Sequence, residues 1–262
     1  NSTLRPLHPL IFYDQKSFIE GIEQAKKITK TTTYKITGGI TPHHLDVGFI
    51  IADFYNRLAL QRPKTIILLG PNHYERGSFK ALTSLYRWNT PFGAVEPDDL
   101  VINSLINKNL IKVDEDTVSN DHAVAGSMSF IKYYIPEAKV VPILLSGKMT
   151  REDSTILANN LADFIKDDTV IVAPVDFSHY LTNKEAQEKD KLTFQVMKEF
   201  DYRQLFSMNN NYLDSAPSIG TLLMVMQKLK TTGMDLLYHS NSGEIQKNDY
   251  IQTTSYFSIT FH

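Results

Sequence analysis

The stretch Val170-Ile171-Val172-Ala173-Pro174-Val175-Asp176-Phe177-Ser178-His179-Tyr180 places an acid and a histidine just after a short apolar run. An apolar run that stops at proline is typical of a buried strand leading into a loop. Two other apolar runs, residues 33–40 and 65–69, lead into Thr41-Pro42-His43-His44 and Gly70-Pro71-Asn72-His73. Because ligands in open α/β sheets bind beyond the carboxyl ends of the strands, these three exits predict one shared site.

Composition indicates an ordinary globular protein. The chain has 262 residues, of which 42% are hydrophobic and 21% charged, which is typical of soluble domains. No internal repeat, low-complexity segment or long linker divides the chain. We therefore expect one domain over residues 1–262, with residues 1–16 as an N-terminal arm because this segment is rich in proline-flanked turns.

Charge and cysteine content exclude several classes of function. The net charge of −2 gives no strong attraction to nucleic acid, so no nucleic-acid partner is expected. No apolar run approaches the roughly 18 residues that a membrane span needs. Cysteine is absent, which removes disulfides, thiolate metal ligands and cysteine nucleophiles. We expect a cytoplasmic protein; the first residue, Asn1, is also compatible with an exported or anchored form whose leader has been removed.

Strands and helices are predicted to alternate along the chain. Ser17 is expected to cap a first helix, one helix is expected to begin near residue 120 and end at Tyr134, and residues 139–145 are expected to form a strand. Alternating residues 251–261 predict a last strand, at an edge or with an antiparallel partner. The fold class is therefore α/β, with a mainly parallel or mixed central sheet flanked by helices.

Histidine and carboxylate side chains are the only strong metal ligands that a chain without cysteine offers. Two histidines and one carboxylate suit a divalent first-row metal and leave positions open for a substrate. The candidates are His43, His44, His73, His122, Asp176, His179 and Asp214.

Structural alternatives exist for several of these candidates. Any single histidine could serve in the site, or it could instead cap a helix or hydrogen-bond a loop. Asp121 and Asp214 each precede a predicted helix and are candidate helix caps. Ser178 beside His179 is a weaker candidate nucleophile, because no G-x-S-x-G elbow surrounds it.

Several motifs in one order carry a resemblance to a known family. They are Thr41-Pro42-His43, Leu68-Leu69-Gly70-Pro71-Asn72-His73, Trp88-Asn89-Thr90-Pro91-Phe92-Gly93, Asp121-His122, Val175 to Tyr180, and Pro217-Ser218-Ile219-Gly220. The chain resembles the MEMO family, whose prokaryotic members are called AmmeMemoRadiSam system protein B. The resemblance implies a fold similar to that of the class III extradiol dioxygenases, which are non-heme iron enzymes.

The resemblance also assigns residues. His43 and His73 match two metal ligands of the family, Asp176 and His179 match its D-F-[SC]-H motif, and His122 matches the histidine of its E-H-S segment. Asp214 stands near the position of the family's third ligand, a cysteine, which gives a set of two histidines and one carboxylate. A second departure is Ala125-Gly126, where the family commonly has a glutamate after E-H-S.

Two functions from different classes follow from the resemblance. The first is a metal-binding protein, with dioxygenase-like or other redox activity, in which His43, His73 and Asp214 hold iron, or alternatively copper or zinc. His122 or His179 would then transfer protons, Asp176 would orient an imidazole, and the substrate would be a small, aromatic molecule. The second is a non-catalytic module that binds a peptide or a small anion in the histidine-lined pocket. A radical-SAM protein is a further expected partner.

Overall fold

A nine-stranded mixed sheet forms the centre of the computed structural model, which describes residues 4–262. Two further strands form a small separate ribbon. The strands are β1 (Leu7–His8), β2 (Gly38–Thr41), β3 (Thr65–Pro71), β4 (Ala81–Thr83), β5 (Arg87–Trp88), β6 (Lys112–Val113), β7 (Lys139–Leu145), β8 (Thr169–Pro174), β9 (His179–Leu181), β10 (Met234–Asn241) and β11 (Thr253–Phe261).

Parallel pairing at the middle of the sheet brings the three predicted strand exits together. The order across the sheet is β10-β11-β2-β8-β3-β7-β4-β6, and β9 pairs with β11. Strands β2, β8, β3 and β7 are parallel neighbours, whereas β11 is antiparallel to β2 and β4 is antiparallel to β7. The carboxyl ends of β2, β8 and β3 therefore lie side by side, as the sequence predicts for a shared site.

Helices cover both faces of the sheet. They are α1 (Gln15–Ile28), α2 (Gly48–Ala59), α3 (Asp99–Asn107), α4 (Glu115–Ser119), α5 (His122–Ala125), α6 (Met128–Tyr134), α7 (Arg151–Leu161), α8 (Asn183–Glu199), α9 (Tyr202–Leu205), α10 (Ala216–Leu229) and α11 (Ser242–Gln246). A 3-10 turn at Leu45–Val47 precedes α2, and another at Ala162–Phe164 follows α7.

Successive residues of the central strands enter two separate cores. In β3, Ile66 and Leu68 pack with α1, α2 and α6. Ile67 and Leu69, on the other face, pack with α7 and α10. Because both faces are buried, the strand reads as a continuous apolar run, which is typical of parallel strands. The predicted fold class, an α/β domain with a mixed sheet flanked by helices, is confirmed.

Local capping chemistry corrects two of the predicted helix boundaries. The first helix begins at Gln15, and its N-cap is Asp14, whose carboxylate accepts the Ser17 backbone N–H at 2.8 Å. Ser17 is therefore the third residue of the helix, and the prediction that it caps the helix is wrong. The helix expected near residues 120–134 is divided into α4, α5 and α6, because Asp121 caps a new helix and Gly126 ends it.

The C-terminal strand has the antiparallel partners that its alternating sequence predicts. It lies between β2 and β10, so β10 and not β11 forms the edge of the sheet. A bulge between Leu236 and Tyr238 interrupts the pairing of β10 with β11. Within residues 4–262, no helix has the length and apolar character needed to cross a bilayer.

Candidate metal centre

His43 is the most deeply buried residue of the histidine cluster. It follows the end of β2, and its Nδ1 lies 3.0 Å from the Pro174 carbonyl oxygen at the end of neighbouring β8. A carbonyl oxygen only accepts hydrogen bonds, so Nδ1 donates to it and Nε2 is the nitrogen left for a ligand. The Nε2 atom is buried and has no hydrogen-bond partner among residues 4–262. Strand pairing thus fixes which nitrogen of His43 faces the site.

His73 is held by the carboxylate of Asp121. Its Nδ1 lies 2.8 Å from Asp121 Oδ1, and its backbone N–H donates to Asp121 Oδ2, also at 2.8 Å. Burial alone would lower the pKa of His73, but the carboxylates of Asp121 and Asp214 outweigh it and raise the pKa to about 10. The sequence marks Asp121 as a helix cap, and it does accept the Ala123 backbone N–H at 2.9 Å. One carboxylate therefore both starts α5 and orients His73.

His122 lies against the other two histidines. Its ring stacks on that of His73, with centroids 4.2 Å apart and an interplanar angle of 14°, and meets His43 edge-on at 4.9 Å. Burial, together with neighbouring His43 and His73, lowers the pKa of His122 to about 3. His122 is therefore neutral at neutral pH. One ring nitrogen from each of His43, His73 and His122 lies within 4.8 Å of the others, close enough to share one metal ion.

Asp214 contributes a carboxylate on the same side. Its Oδ2 lies 3.4 Å from His43 Nε2 and 3.5 Å from His73 Nε2, and the side chain is only 6% exposed. Neither carboxylate oxygen has a hydrogen-bond partner among the residues described. The helix-cap alternative for Asp214 is wrong, because Ser215 caps α10 and its hydroxyl accepts the Ser218 backbone N–H.

Asp176 links the histidine cluster to the loop after β8. It is fully buried, accepts the His43 backbone N–H at 3.1 Å, and is hydrogen-bonded to His44 Nδ1. Burial alone would raise the pKa of Asp176, but His43 and His44 hold it below the usual range. The hydrogen bond to Asp176 in turn raises the pKa of His44. His43, His44 and Asp176 form a second group whose ligand atoms lie within 4.8 Å of one another.

His179 is the last candidate of the loop that follows β8. It begins β9, and its backbone N–H donates to the Asn210 carbonyl oxygen at 3.0 Å. Its Nδ1 is buried and has no hydrogen-bond partner among residues 4–262. The groups of ligand atoms that lie within 4.8 Å of one another in this part of the chain include neither His179 nor Asp214. The charge of His179 nevertheless contributes to lowering the pKa of Asp176.

Aromatic rings lie near several of the candidate histidines, and one cavity adjoins Asp214. Phe12, from the N-terminal arm, lies with its ring centroid 5.9 Å from that of His122. Tyr74 and Tyr180, which follow His73 and His179, are 56% and 72% exposed. A cavity of about 210 Å³ adjoins Asp214 and is lined by Met149, Met208, Asn209, Asn210 and neighbouring residues. Nothing local in the sequence links Phe12 to His122, because the contact spans 110 positions of the chain.

A family model described as Memo-like protein matches residues 12–260, which is most of the chain. The chain belongs to the Memo-like family. A MEMO1 family protein of Pyrobaculum arsenaticum is 30% identical to it over 240 residues, which cover 87% of this chain and 84% of the relative. The family resemblance drawn from the ordered motifs is confirmed.

Other Memo-like relatives are similar at the same level. MEMO1 family proteins of Sulfurisphaera tokodaii and Nitrosopumilus maritimus are each 29% identical, over 85% and 86% of this chain and 81% and 84% of the relatives. Among solved structures, an uncharacterized Escherichia coli K12 protein, JW3007, superposes with a TM-score of 0.58 over 87% of this chain and all of that chain. Its sequence identity is 12%, so this likeness shows the fold alone.

Proposed function

We propose that this Memo-like protein binds one divalent metal ion through His43, His73 and Asp214. The observation that carries the proposal is a set of buried ligand atoms without partners that face one another. His43 Nε2 and both oxygens of Asp214 have no hydrogen bond within residues 4–262, although polar atoms at this depth are normally paired. Their spacings of 3.4 and 3.5 Å from Asp214 Oδ2 to the histidine Nε2 atoms support a shared cation.

The hydrogen bonds behind the ligands also support a metal. Histidine ligands usually donate their other ring N–H to a carboxylate or a backbone carbonyl, which fixes the tautomer and the ring orientation. His43 does so to Pro174 and His73 does so to Asp121. Two imidazoles and a carboxylate match the donor preference of iron, and copper and zinc also accept this set.

His122 is the competing third ligand. Its ring nitrogen lies within 4.8 Å of ligand nitrogens of His43 and His73. Its lowered pKa leaves it neutral and able to donate a lone pair. Substitution of each residue separately distinguishes the two ligand sets, as designed below.

If the centre is catalytic, a bound iron would supply redox chemistry with oxygen. His122 is neutral and partly exposed beside His73, but its low pKa makes it a weak base, so it is better suited to hydrogen-bond a substrate than to take its proton. Asp176 would hold His44 and the His43 backbone in place. Phe12 beside His122 and Tyr74 beside His73 give the surroundings an aromatic surface that suits a small aromatic substrate.

The alternative function, a module that binds an anion or a peptide without metal, has weaker support. Three carboxylates, Asp121, Asp176 and Asp214, touch the histidines. Their negative charge opposes an anion in a metal-free pocket. An accessory role beside a radical-SAM partner stays a prediction.

Metal analysis of protein purified without chelator tests the proposal, followed by calorimetric titration of the metal-free protein with Fe(II), Cu(II) and Zn(II). We expect one ion per chain and tight binding of at least one of the three metals. If the purified protein contains no metal and shows no heat of binding with any of the three ions, the metal centre is refuted. The alternative function, a module that binds an anion or a peptide, is then favoured.

Three single variants identify the ligands, and one serves as a control. His43→Ala and Asp214→Ala should each weaken binding strongly, and His122→Ala should leave the metal affinity nearly unchanged. His262→Ala is the control, because this partly exposed histidine stacks on Tyr34 at the far end of β11. If His122→Ala abolishes binding and Asp214→Ala does not, the centre uses three histidines.

Oxygen consumption by the iron-loaded protein with a panel of catechols separates an enzyme from a metal binder. Consumption that exceeds that of the Asp214→Ala variant supports the dioxygenase-like function. If oxygen is consumed at the same rate with and without the protein, the protein binds metal but does not catalyse this reaction.

A further inference from the structure

A chain of hydrogen bonds connects the partly exposed His239 with the loop that follows β8. His239 Nε2 lies 2.8 Å from Asp190 Oδ2. The Ser178 hydroxyl donates to Asp190 Oδ1 at 2.9 Å and lies 2.6 Å from the Ser255 hydroxyl. The four residues come from β10, α8, the segment after β8, and β11, so one polar chain joins four elements.

The buried carboxylate of Asp190 makes this chain of hydrogen bonds important for stability. Asp190 and Ser178 are fully buried, whereas the side chain of His239 is 29% exposed. A buried carboxylate is costly unless it is hydrogen-bonded or paired with a positive group. Among the residues described, His239 is the one ion-pair partner of Asp190. Loss of the His239 N–H therefore leaves a buried acid with a single hydrogen bond.

Packed rings form a second connection between the same places. The imidazole of His239 stacks on Phe257, with centroids 4.3 Å apart and 23° between the planes. Phe257 in turn packs against Phe177 in a T-shaped contact at 4.5 Å. The polar chain and the packed rings thus both begin at His239 and end at adjacent residues, Ser178 and Phe177.

Phe177 and Ser178 separate two residues of the candidate centre, Asp176 and His179. The Phe177 backbone N–H donates to the Ser255 carbonyl at 2.9 Å. The carbonyl of Asp176 accepts the Asp214 backbone N–H at 3.0 Å, so the proposed ligand Asp214 is attached to the same segment. A displacement of this segment would therefore move Asp176, His179 and Asp214 together.

The same contacts remove the nucleophile alternative for Ser178. Its hydroxyl is buried between Asp190 and Ser255 and bonds to no histidine in the part of the chain that the structure describes. A serine nucleophile needs an adjacent base to take its proton. Ser178 is therefore better explained as the residue that connects the hydrogen-bond chain to the segment after β8.

We propose that His239 and Asp190 are positioning residues, which hold the segment Asp176–His179 and, through it, Asp214 in the geometry of the metal centre. The inference rests on the proposed function only in that the residues it positions are those of the proposed centre. The hydrogen-bond chain itself includes none of the proposed ligands. It is therefore testable whether or not a metal binds.

Hydrogen exchange of backbone amides in the metal-free protein tests the proposal through two variants that separate the two connections. His239→Phe keeps a ring on Phe257 but removes the donor to Asp190. His239→Gln removes the ring but keeps an N–H donor. His262→Phe is the matched control, because His262 also stacks on an aromatic ring, Tyr34 at 3.9 Å, and has Asp235 within 3.9 Å.

In His239→Phe, exchange at the amides of Phe177, His179 and Asp214 should accelerate by about tenfold, because a hydrogen bond to a charged group is lost. Amides of Ile67 and Val141 in the central strands should keep their wild-type rates. His239→Gln should restore rates within about twofold of wild type, and His262→Phe should change none of these amides.

Three outcomes would overturn the proposal. They are unchanged rates in His239→Phe, equal acceleration at Ile67 and Val141, which indicates global destabilisation, and failure of His239→Gln to restore the rates. A Zn(II) titration of the wild-type protein is a separate measurement that tests only the metal proposal. If the wild-type protein binds no metal but the exchange pattern is as expected, the metal proposal fails and the positioning network stands.

Discussion

Each of His43 and His73 has one ring nitrogen committed to a fixed acceptor, so that the other nitrogen faces the centre of the cluster. For His43 the acceptor is a backbone carbonyl that the pairing of β2 with β8 brings into place. For His73 it is Asp121, which also caps α5. The orientation of both imidazoles is thus determined by residues outside the ligand set, as is usual for histidine ligands.

Asp121→Asn should lower metal affinity by about 10–100-fold, because a neutral amide holds the His73 ring less firmly and makes it less basic. Asparagine also caps helices well, so α5 should persist. Zn(II) competition titration measures the affinity. Asp114→Asn is the control, because Asp114 caps α4 in the same way and accepts the Thr117 N–H without touching a histidine. Equal affinities of Asp121→Asn and wild type would contradict the role given to Asp121.

Close packing of β3 against α5 determines where His122 stands relative to His73. Gly70 lies near the end of β3, and a Cβ there would come within 2.9 Å of the Ala123 Cβ and 3.1 Å of a Val124 methyl. Gly126 meets the backbone equally closely, with 3.0 Å from a Cβ to the carbonyl oxygens of His122 and His43. The absence of side chains at these two positions allows the three histidines to approach.

Gly70→Ala should push α5 away from β3 and disturb the stacking of His73 on His122. We expect a loss of about 1–3 kcal/mol of stability from overpacking, and a change in the imidazole resonances of both histidines by NMR. Gly147→Ala is the control, because a Cβ there meets the flexible Glu75 side chain, at 3.2 Å. Unchanged histidine resonances in Gly70→Ala would show that α5 is not held by this contact.

The N-terminal arm is attached by a short strand and one buried histidine. Strand β1 pairs with β5, and His8 Nε2 lies 2.6 Å from the Ser84 hydroxyl and 3.0 Å from Glu115 Oε2. Burial alone would raise the pKa of Glu115, but hydrogen bonds from His8, Ser84 and the Leu85 N–H lower it below its ordinary value of 4.5. The arm also carries Phe12 to His122, so its attachment bears on the candidate centre.

Acid should weaken this attachment. The pKa of Glu115 is lower in the folded than in the unfolded chain, so its contribution to stability is present above about pH 4.5 and is lost as the pH falls through the lower folded value. We expect Glu115→Gln to lower the melting temperature by a few degrees at neutral pH and to flatten its decline in acid. Glu152→Gln, in the first turn of α7, is the control. If the melting temperatures of the wild-type and Glu115→Gln proteins fall by the same amount from neutral to acid pH, this prediction is contradicted.

The C-terminal strand connects parts of the molecule that are far apart in sequence. Strand β11 pairs with β10, β2 and β9, and its inward side chains complete the core beneath α8 and α10. It also carries Phe257, on which the His239 ring stacks, and Ser255, whose hydroxyl lies within hydrogen-bond distance of Ser178 in the loop after β8. The last nine-residue strand is therefore required for the whole sheet as well as for the surroundings of the centre.

Ile259→Ala should destabilise the whole domain by about 2–5 kcal/mol, because this side chain is fully buried and the cavity left behind will not close. Urea unfolding followed by circular dichroism measures the change. Ile156→Ala on α7, where the isoleucine is 48% exposed, should change stability by about 0.5 kcal/mol or less. A similar small effect of Ile259→Ala would mean that β11 contributes little to the core.

Local sequence patterns were sufficient to predict the central strands and the polar residues that follow them. The strand expected at 139–145 is β7, residue for residue, and the apolar runs before His43, His73 and Asp176 are central strands. These predictions succeed because apolar runs, prolines and turn residues act within a few positions of the chain. The division of residues 115–134 into three helices was missed, because the cap at Asp121 interrupts an otherwise continuous apolar pattern.

The sequence by itself determined the α/β fold class, the family and the set of histidines and acids that follow the strands. Only the tertiary structure decided that Asp214 faces His43 and His73, that His122 stacks on His73, and that His239 bonds to Asp190. The physical reason is the strand order, in which β8 inserts between β2 and β3 and β11 returns beside β2. These strand pairings join residues more than 100 positions apart in the sequence. A local sequence pattern covers only a few positions, so it does not predict which distant strands pair.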